Sequence, residues 1–230
     1  MNLIPLNARC LLLLLFAHAV EAAAGTSRCF GTVGNGRIEG SVKLPAHGPN
    51  FAAYSAWGTT AGRTYVHSKV ADVVVSAYAT LASTAPDATF MYGETGLASG
   101  GRFRPHRTHQ NGLSIDFFVP VRDETGKSKA LPTSVGNRFG YDIEFDSSAK
   151  YGKYRIDFPA ISEHLYQLDS AAKAHGIGIK LVIFDSEFMP RLLATPRGPY
   201  LRENLQFMKG KPWVRHDEHY HVDFAVPCKQ

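Results

Sequence analysis

An α+β fold is predicted by this sequence: a central, mainly antiparallel sheet, helices on one of its faces and a polar cleft on the other. Three observations carry the prediction. Two long stretches place apolar residues on a broad helical face, and several short runs rich in β-branched or aromatic residues lie between turn signals. Two of those runs alternate apolar residues with histidines and acids, so each strand has one core face and one chemically active face. At 230 residues, 44% hydrophobic and 20% charged, the chain can bury a proper core, and neither a disordered nor a fibrous class fits. With no internal repeat, low-complexity tract or dividing linker, residues 25–230 read as one domain.

The first 24 residues read as a secretory signal peptide. Arg9 supplies a positive start, "CLLLLLFAHAV" the apolar run, and "EAAAG" small residues for cleavage near Ala22–Ala24. That run is too short to cross a hydrocarbon layer roughly 30 Å thick as a helix, and no other segment looks transmembrane. Cys10 stands at the start of the run rather than at its end, the wrong place for a lipid anchor. Removing the leader leaves Cys29 and Cys228, an even pair at the ends of the mature chain, which an exported protein is expected to join. The formal charge of +5 survives, because Arg9 and Glu21 of the leader cancel. An anionic cell-wall polymer or lipid surface suits that excess. Nucleic acid does not, given the leader and the lack of a basic stripe interleaved with aromatics. The expected location is the periplasm, with the extracellular space as the alternative.

Taken in order, "RTYVHSKVADVVVSAYATLAS" (63–83) predicts a helix whose core face holds Val66, Val70, Val73, Val74, Ala77 and Leu81. "NGLSIDFFVPV" (111–121) predicts a strand after an Asn-Gly turn, with Leu113, Ile115, Phe117, Val119 and Val121 on the core side and Ser114 and Asp116 on the other. "PAISEHLYQLDSAAKAHG" (159–176) predicts a second helix, opened by Pro159 and closed by Gly176. "IKLVIFD" reads as a buried strand and "FMPRLLA" as a short helix. In "HYHVDFAV" (219–226), Tyr220, Val222, Phe224 and Val226 share the core face, while His219, His221 and Asp223 share the opposite one.

The two active faces have chemistry in common. His109 precedes Asp116 across the Asn-Gly turn, which can bring its ring back over the start of the strand, and His221 arrives on a separate strand. A His109/Asp116/His221 set suits one zinc ion, since three imidazole or carboxylate ligands leave a fourth position for water, as in a catalytic site. His219, on the same face as His221, is then available for proton transfer. His216 can join only from a loop.

"HQNGLSID" resembles the H-x6-D element, and "HYH" the H-x-H element, of the metallopeptidase superfamily that groups lysostaphin-type and D-alanyl-D-alanine-type peptidases. The fuller context, "HRTHQNGLSIDFFVPV" with "HDEHYHVDF", is similar to the penicillin-insensitive murein endopeptidases. The resemblance implies an exported zinc enzyme that hydrolyses peptide cross-links of peptidoglycan. It implies His109, Asp116 and His221 as zinc ligands, His219 as catalytic base, His216 as a second active-site histidine and His106 as adjacent to the site; the chemistry of such a site then gives His216 the oxyanion to stabilise. A carboxypeptidase or wall-targeting effector with the same metal site, and a wall-binding protein in which zinc only supports the fold, are the alternatives.

Other features get plainer readings. His47, His67, His164 and His175 lie in surface-like contexts and are taken as structural. "GETGLASGGRFRP" lacks the phosphate-loop signature and is taken as a flexible rim of the cleft. Arg102, Arg104 and Arg107 suit either a substrate carboxylate or a solvated rim. Asp217 and Glu218 are candidates for orienting neighbouring histidines.

Overall fold

The computed structural model describes residues 26–230 apart from 211 and 213, so the expected leader, residues 1–24, lies outside the described residues. The chain opens with a hairpin, β1 (Arg28–Thr32) and β2 (Asn35–Glu39), then β3 (Val42–Lys43), β4 (Phe51–Ala53), helix α1 (Ala56–Thr60) and β5 (Tyr65–Val66), which pairs with β3. Helix α2 (Ser68–Thr84) leads to β6 (Phe90–Tyr92) and, after a long loop, to β7 (Ser114–Phe118). A small four-stranded sheet follows from β8 (Val121–Arg122), β9 (Ser128–Lys129), β10 (Lys150–Tyr151) and β11 (Tyr154–Ile156), with a 3-10 segment at Val135–Gly140. The chain then runs through α3 (Phe158–Ala174), β12 (Gly178–Ile183), α4 (Met189–Leu193), α5 (Gly198–Asn204) and β13 (His219–Ala225).

The α+β expectation holds. Five strands form the central sheet in the order β12–β13–β7–β6–β4, antiparallel except for the pair β4–β6. Between β13 and β7, Tyr220 pairs with Phe117 and Val222 with Ile115, whereas His219, His221 and Asp223 lie opposite Phe118, Asp116 and Ser114. Side chains alternate along both strands, so one face is apolar and the other carries the polar set. Helices α2 and α3 cover the apolar face. His164 of α3 stacks on Tyr78 of α2, with ring centroids 5.1 Å apart, and meets Phe117 and Tyr220 edge-on.

Local chemistry explains the element ends. The expected first helix starts five residues late, because Tyr65 and Val66 pair in β5 and the His67 ring nitrogen caps the helix by accepting from Lys69 N at 3.2 Å. Asp157 caps α3 by accepting from Ala160 N at 3.1 Å, with Pro159 in the first turn, where its missing N–H costs nothing. β7 stops at Phe118, and Val121 enters the smaller sheet instead; Pro120 between them has no N–H to continue the ladder. His67 and His164 are buried rather than surface residues. Among the described residues no helix is long and apolar enough to cross a membrane.

Cys29 and Cys228 are joined as expected, and the C-terminal segment also lies along β1 through Gly31 N to Lys229 O (2.8 Å) and Lys229 N to Cys29 O (3.0 Å). The bond spans a sequence separation of 199 residues. Closing a loop that long removes unfolded-state entropy worth roughly 5 kcal/mol before native strain. Replacing both cysteines by serine should therefore lower the unfolding free energy by about 3–5 kcal/mol; an unchanged urea midpoint and slope would contradict this.

Burial lowers the pKa of His164 from the model-peptide value of 6.5 to about 3, so the folded state excludes a proton that the unfolded chain accepts. Between those values the unfolded state binds more protons, and stability falls as pH falls, by up to about 1.4 kcal/mol per unit. His164→Phe should flatten that part of the stability–pH curve between pH 6.5 and 3. An identical slope in variant and wild type would assign the acid sensitivity to other groups.

Candidate metal centre

The polar face of the sheet forms the floor of a cleft of about 920 Å³ lined by Asp116, His106, His216, His219 and His221, among others. β7 supplies Asp116 and β13 supplies His219 and His221, and the His221–Asp116 register brings them into contact: His221 Nδ1 lies 2.9 Å from Asp116 Oδ1. His109 comes from the loop before β7. Its backbone is left-handed at φ 67°, a conformation that costs a non-glycine residue roughly 1–2 kcal/mol and turns its ring back over the strand. His109 Nε2 lies 3.2 Å from the same Oδ1 but makes no hydrogen bond.

Each ring is fixed from behind. His109 Nδ1–H donates to the Thr95 carbonyl at 3.1 Å, so Nε2 keeps its lone pair. His221 Nε2–H donates to Asp223 Oδ1 at 2.8 Å, and that carboxylate also accepts from the Ser114 hydroxyl at 2.5 Å. This leaves His221 Nδ1 aimed at Asp116. Two imidazole nitrogens and a carboxylate oxygen thus converge on one buried point, with His109 Nε2 presenting its electron pair and the protonated His221 Nδ1–H donating to Asp116 Oδ1. That arrangement is stable only with positive charge between the atoms. The titration of His221 says the same: burial opposes its charged form, yet Asp223 and Asp116 together raise its pKa to about 10. For Asp116, burial would raise the carboxyl, but the His109 and His219 imidazoles hold it well below the usual carboxylate range.

His106, His109 and Asp116 also form a group able to hold a metal ion, with ligand atoms all within 4.8 Å of one another. His106, however, serves the other carboxylate oxygen. Its Nδ1 is 3.6 Å from Asp116 Oδ2, and its Nε2 is 2.7 Å from Glu94 Oε2. Tyr141 donates its hydroxyl to the same Oδ2 at 3.0 Å and accepts from Glu94 N at 3.0 Å. Burial, followed by Asp116, raises the Tyr141 pKa well above normal, so the phenol stays protonated and remains a donor. Oδ2 is therefore occupied by Tyr141 and His106, and Oδ1 faces His109, His221 and, at 3.7 Å, His219 Nε2.

His219 and His216 fill out the wall. His219 Nδ1 lies 2.7 Å from Glu218 Oε1, so one of the two acids expected to orient a histidine does so. The other, Asp217, is bound to Arg215 and to Phe145 N instead. Burial, then Asp217, raises Glu218 well above the usual carboxylate range, while burial lowers His219 to about 4. His216 arrives from the loop before β13, with its ring 4.6 Å from that of His219 and its Nδ1–H donated to the Val214 carbonyl at 2.9 Å.

Sequence reasoning missed Glu94 and Tyr141. The stretch expected to be a flexible rim is buried over residues 93–96, and Glu94 is its center: Arg63 pairs with it, Tyr54 donates to it at 2.8 Å, and His106 is bonded to it. Arg63 and His106 overcome burial and hold its carboxyl at about 2. The glycines there serve close approach. A side chain at Gly93 would meet the Tyr141 hydroxyl at 2.7 Å and Asp116 Cβ at 3.1 Å, and one at Gly96, where φ is +154°, would meet the His109 carbonyl at 2.9 Å.

The sequence profile of the penicillin-insensitive murein endopeptidases matches residues 29–146, just over half of the 230-residue chain. The match takes in Glu94, His106, His109, Asp116 and Tyr141 and ends before the strand that carries His219 and His221. No curated protein matches the chain. On that match, the chain belongs to the penicillin-insensitive murein endopeptidase family.

Proposed function

We propose that the protein is a zinc-dependent endopeptidase that is exported through a cleavable leader at residues 1–24 and hydrolyses peptide cross-links of peptidoglycan in the periplasm. One observation carries the reading: His109 Nε2 and His221 Nδ1, each ring pinned from behind, converge with Asp116 Oδ1 at the floor of an open cleft. These three residues are the proposed ligands. An imidazole, imidazole and carboxylate set suits zinc and leaves a position open for chemistry. His106 is assigned to holding Asp116, because it faces the oxygen that Tyr141 already occupies. The family membership supports the substrate, and the Cys29–Cys228 bond supports an oxidising compartment.

A zinc ion held there would supply a Lewis acid for the scissile carbonyl and a water acidified toward a pKa of about 7. His219 is the proposed base. Burial keeps the proton on Glu218 and off His219, and a dication held at the three ligands would favour the ionised carboxyl. The resulting form, with Nδ1–H donated to a charged Glu218, presents a bare Nε2 to the cleft for the proton of the attacking water. His216 has its Nδ1–H committed to Val214, so its Nε2 accepts rather than donates. That tautomer suits a proton relay with His219, and would serve an oxyanion only as imidazolium. No covalent intermediate is needed, so β-lactams, which trap a nucleophilic serine, should not inhibit the enzyme.

Mass spectrometry of digested muropeptides tests the reading. Cross-linked dimers should become monomers, chelator should stop the reaction, and zinc should restore it. Shortened monomers would mean a carboxypeptidase, and unchanged muropeptides with bound metal a wall-binding protein.

Variants should separate binding from chemistry. His221→Ala should lose zinc and activity together, while His219→Ala should keep zinc and slow by roughly 10²–10⁴-fold. Elemental analysis beside the cleavage rate checks both, and a reversed pattern would exchange the two roles. Tyr141→Phe leaves the carboxylate oxygen Oδ2 with one partner fewer. Zinc affinity, read by chelator competition, should fall about 10–100-fold while circular dichroism stays unchanged. Wild-type affinity in that variant would remove Tyr141 from the metal centre.

A further inference from the structure

Among the charged groups lining the cleft, every acid has a counterpart. Glu94 is paired with Arg63, Glu144 and Asp217 with Arg215, and Asp116 with the histidines and Tyr141, while Glu218, whose carboxyl burial keeps protonated, is hydrogen-bonded to His219. Arg63 and Arg215 are spent on these pairs. Two lining cations are left over. Arg107 makes no side-chain ion pair or hydrogen bond among the described residues, and Arg138 has only Asp142, 3.3 Å away, in a pair exposed on both sides, a kind worth little in water. The rim of the cleft therefore carries two weakly committed guanidinium groups, beside one acid, Glu144, whose pair with Arg215 is just as exposed.

The backbone beneath Arg138 is an independent sign that its side chain is needed there. Arg138 and Phe139 are consecutive non-glycine residues in the left-handed region, at φ 48° and 57°. Glycine would adopt this turn freely, so strain kept at two successive side chains calls for a use for those side chains. The segment is also anchored. Asn137 Oδ1 accepts from Ser134 N at 2.8 Å and from Gly140 N at 3.0 Å, its amide donates to the Pro132 carbonyl at 2.6 Å, and the Phe139 ring meets Tyr54 edge-on at 6.2 Å. Both Arg138 and Phe139 line the cleft, and Tyr141, two residues on from Phe139, is bonded to Asp116. A rigid wall thus carries a cation and an aromatic ring to the edge of the proposed metal centre. On the loop that supplies His106, Arg107 adds a second cation.

We propose that Arg107 and Arg138 form a carboxylate-binding subsite of this cleft, which selects peptides that have a free carboxylate near the bond to be cut. The proposal rests on the peptidoglycan-hydrolase reading and specifies which peptides that site prefers. Guanidinium groups suit the ligand because each can present two N–H donors to one carboxylate. A carboxamide of the same shape offers half the acceptors and no charge.

The test uses zinc-loaded wild type, Arg107→Gln, Arg138→Gln and Arg138→Gly with matched muropeptide dimers. In one set the carboxylates are free; in the others either the C-terminal or the side-chain carboxylate is amidated. Wild type should prefer the free acid by about tenfold or more in kcat/KM, chiefly through KM. The amidated carboxylate that causes the loss identifies the source. In each variant the ratio should fall toward one. Arg138→Gly, relieved of its left-handed side chain, should melt no lower than wild type, so lost selectivity there is not lost folding. Calorimetry of already cleaved monomers, free and amidated, separates the two claims. Binding that distinguishes acid from amide without dimer cleavage supports the subsite and sinks the endopeptidase reading; dimer cleavage with no acid–amide difference in rate or binding overturns the subsite alone.

Discussion

The antiparallel register that sets His221 of β13 opposite Asp116 of β7 is the constraint on which the rest depends. It puts two polar side chains on one face in contact, and it fixes their neighbours as Asp223 opposite Ser114 and His219 opposite Phe118. A slip of one residue would turn His221 toward the helices and bring Tyr220 into the cleft. The apolar face prevents that slip. Phe117, Ile115, Tyr220 and Val222 are all buried beneath α2 and α3, so register and core are one energetic choice. The geometry of the candidate metal centre is in this sense a by-product of hydrophobic packing on the other side of the sheet.

Such a site is costly to fold. His109, Asp116, His219 and His221 are buried together, with His109 Nε2 lacking a hydrogen bond and the His109 backbone left-handed. Buried groups of this kind are tolerated when their surroundings hold them or when an ion completes them. Both conditions fit here. Thr95, Asp223, Tyr141 and Glu218 clamp the outer atoms of the set, and the disulfide ties the first strand to the segment that follows β13. The stability that offsets the cost comes from elsewhere, in the aromatic layer of Tyr78, Phe90, Phe117, His164 and Tyr220 between helices and sheet.

What could be read in the sequence was what has a period. Alternation along 114–118 and 219–225 assigned faces correctly, and the helical spacing found α2 and α3 to within a few residues. Asp223 was visible on the active face, although only the structure shows it bound to His221. Tyr141 and Glu94 had no such signal. Tyr141 is 25 residues from Asp116 on an irregular segment, and Glu94 sits in a glycine-rich stretch whose composition suggests mobility, whereas its glycines are there for close packing. His164 looked like a surface residue because one histidine on a helix does not reveal that both flanking layers are aromatic. The N-terminal hairpin and α5, with no strong periodicity, were not anticipated.

The central claim is that metal binds on the Oδ1 side of Asp116, between His109 and His221, and that His106 stays outside. Anomalous diffraction at the zinc edge from crystals of the zinc-loaded protein tests it most directly. The account predicts a single peak about 2.0–2.2 Å from His109 Nε2, His221 Nδ1 and an Asp116 carboxylate oxygen, with His106 still bound to Glu94. A peak ligated by His106 in place of His221, or one away from Asp116, would contradict it.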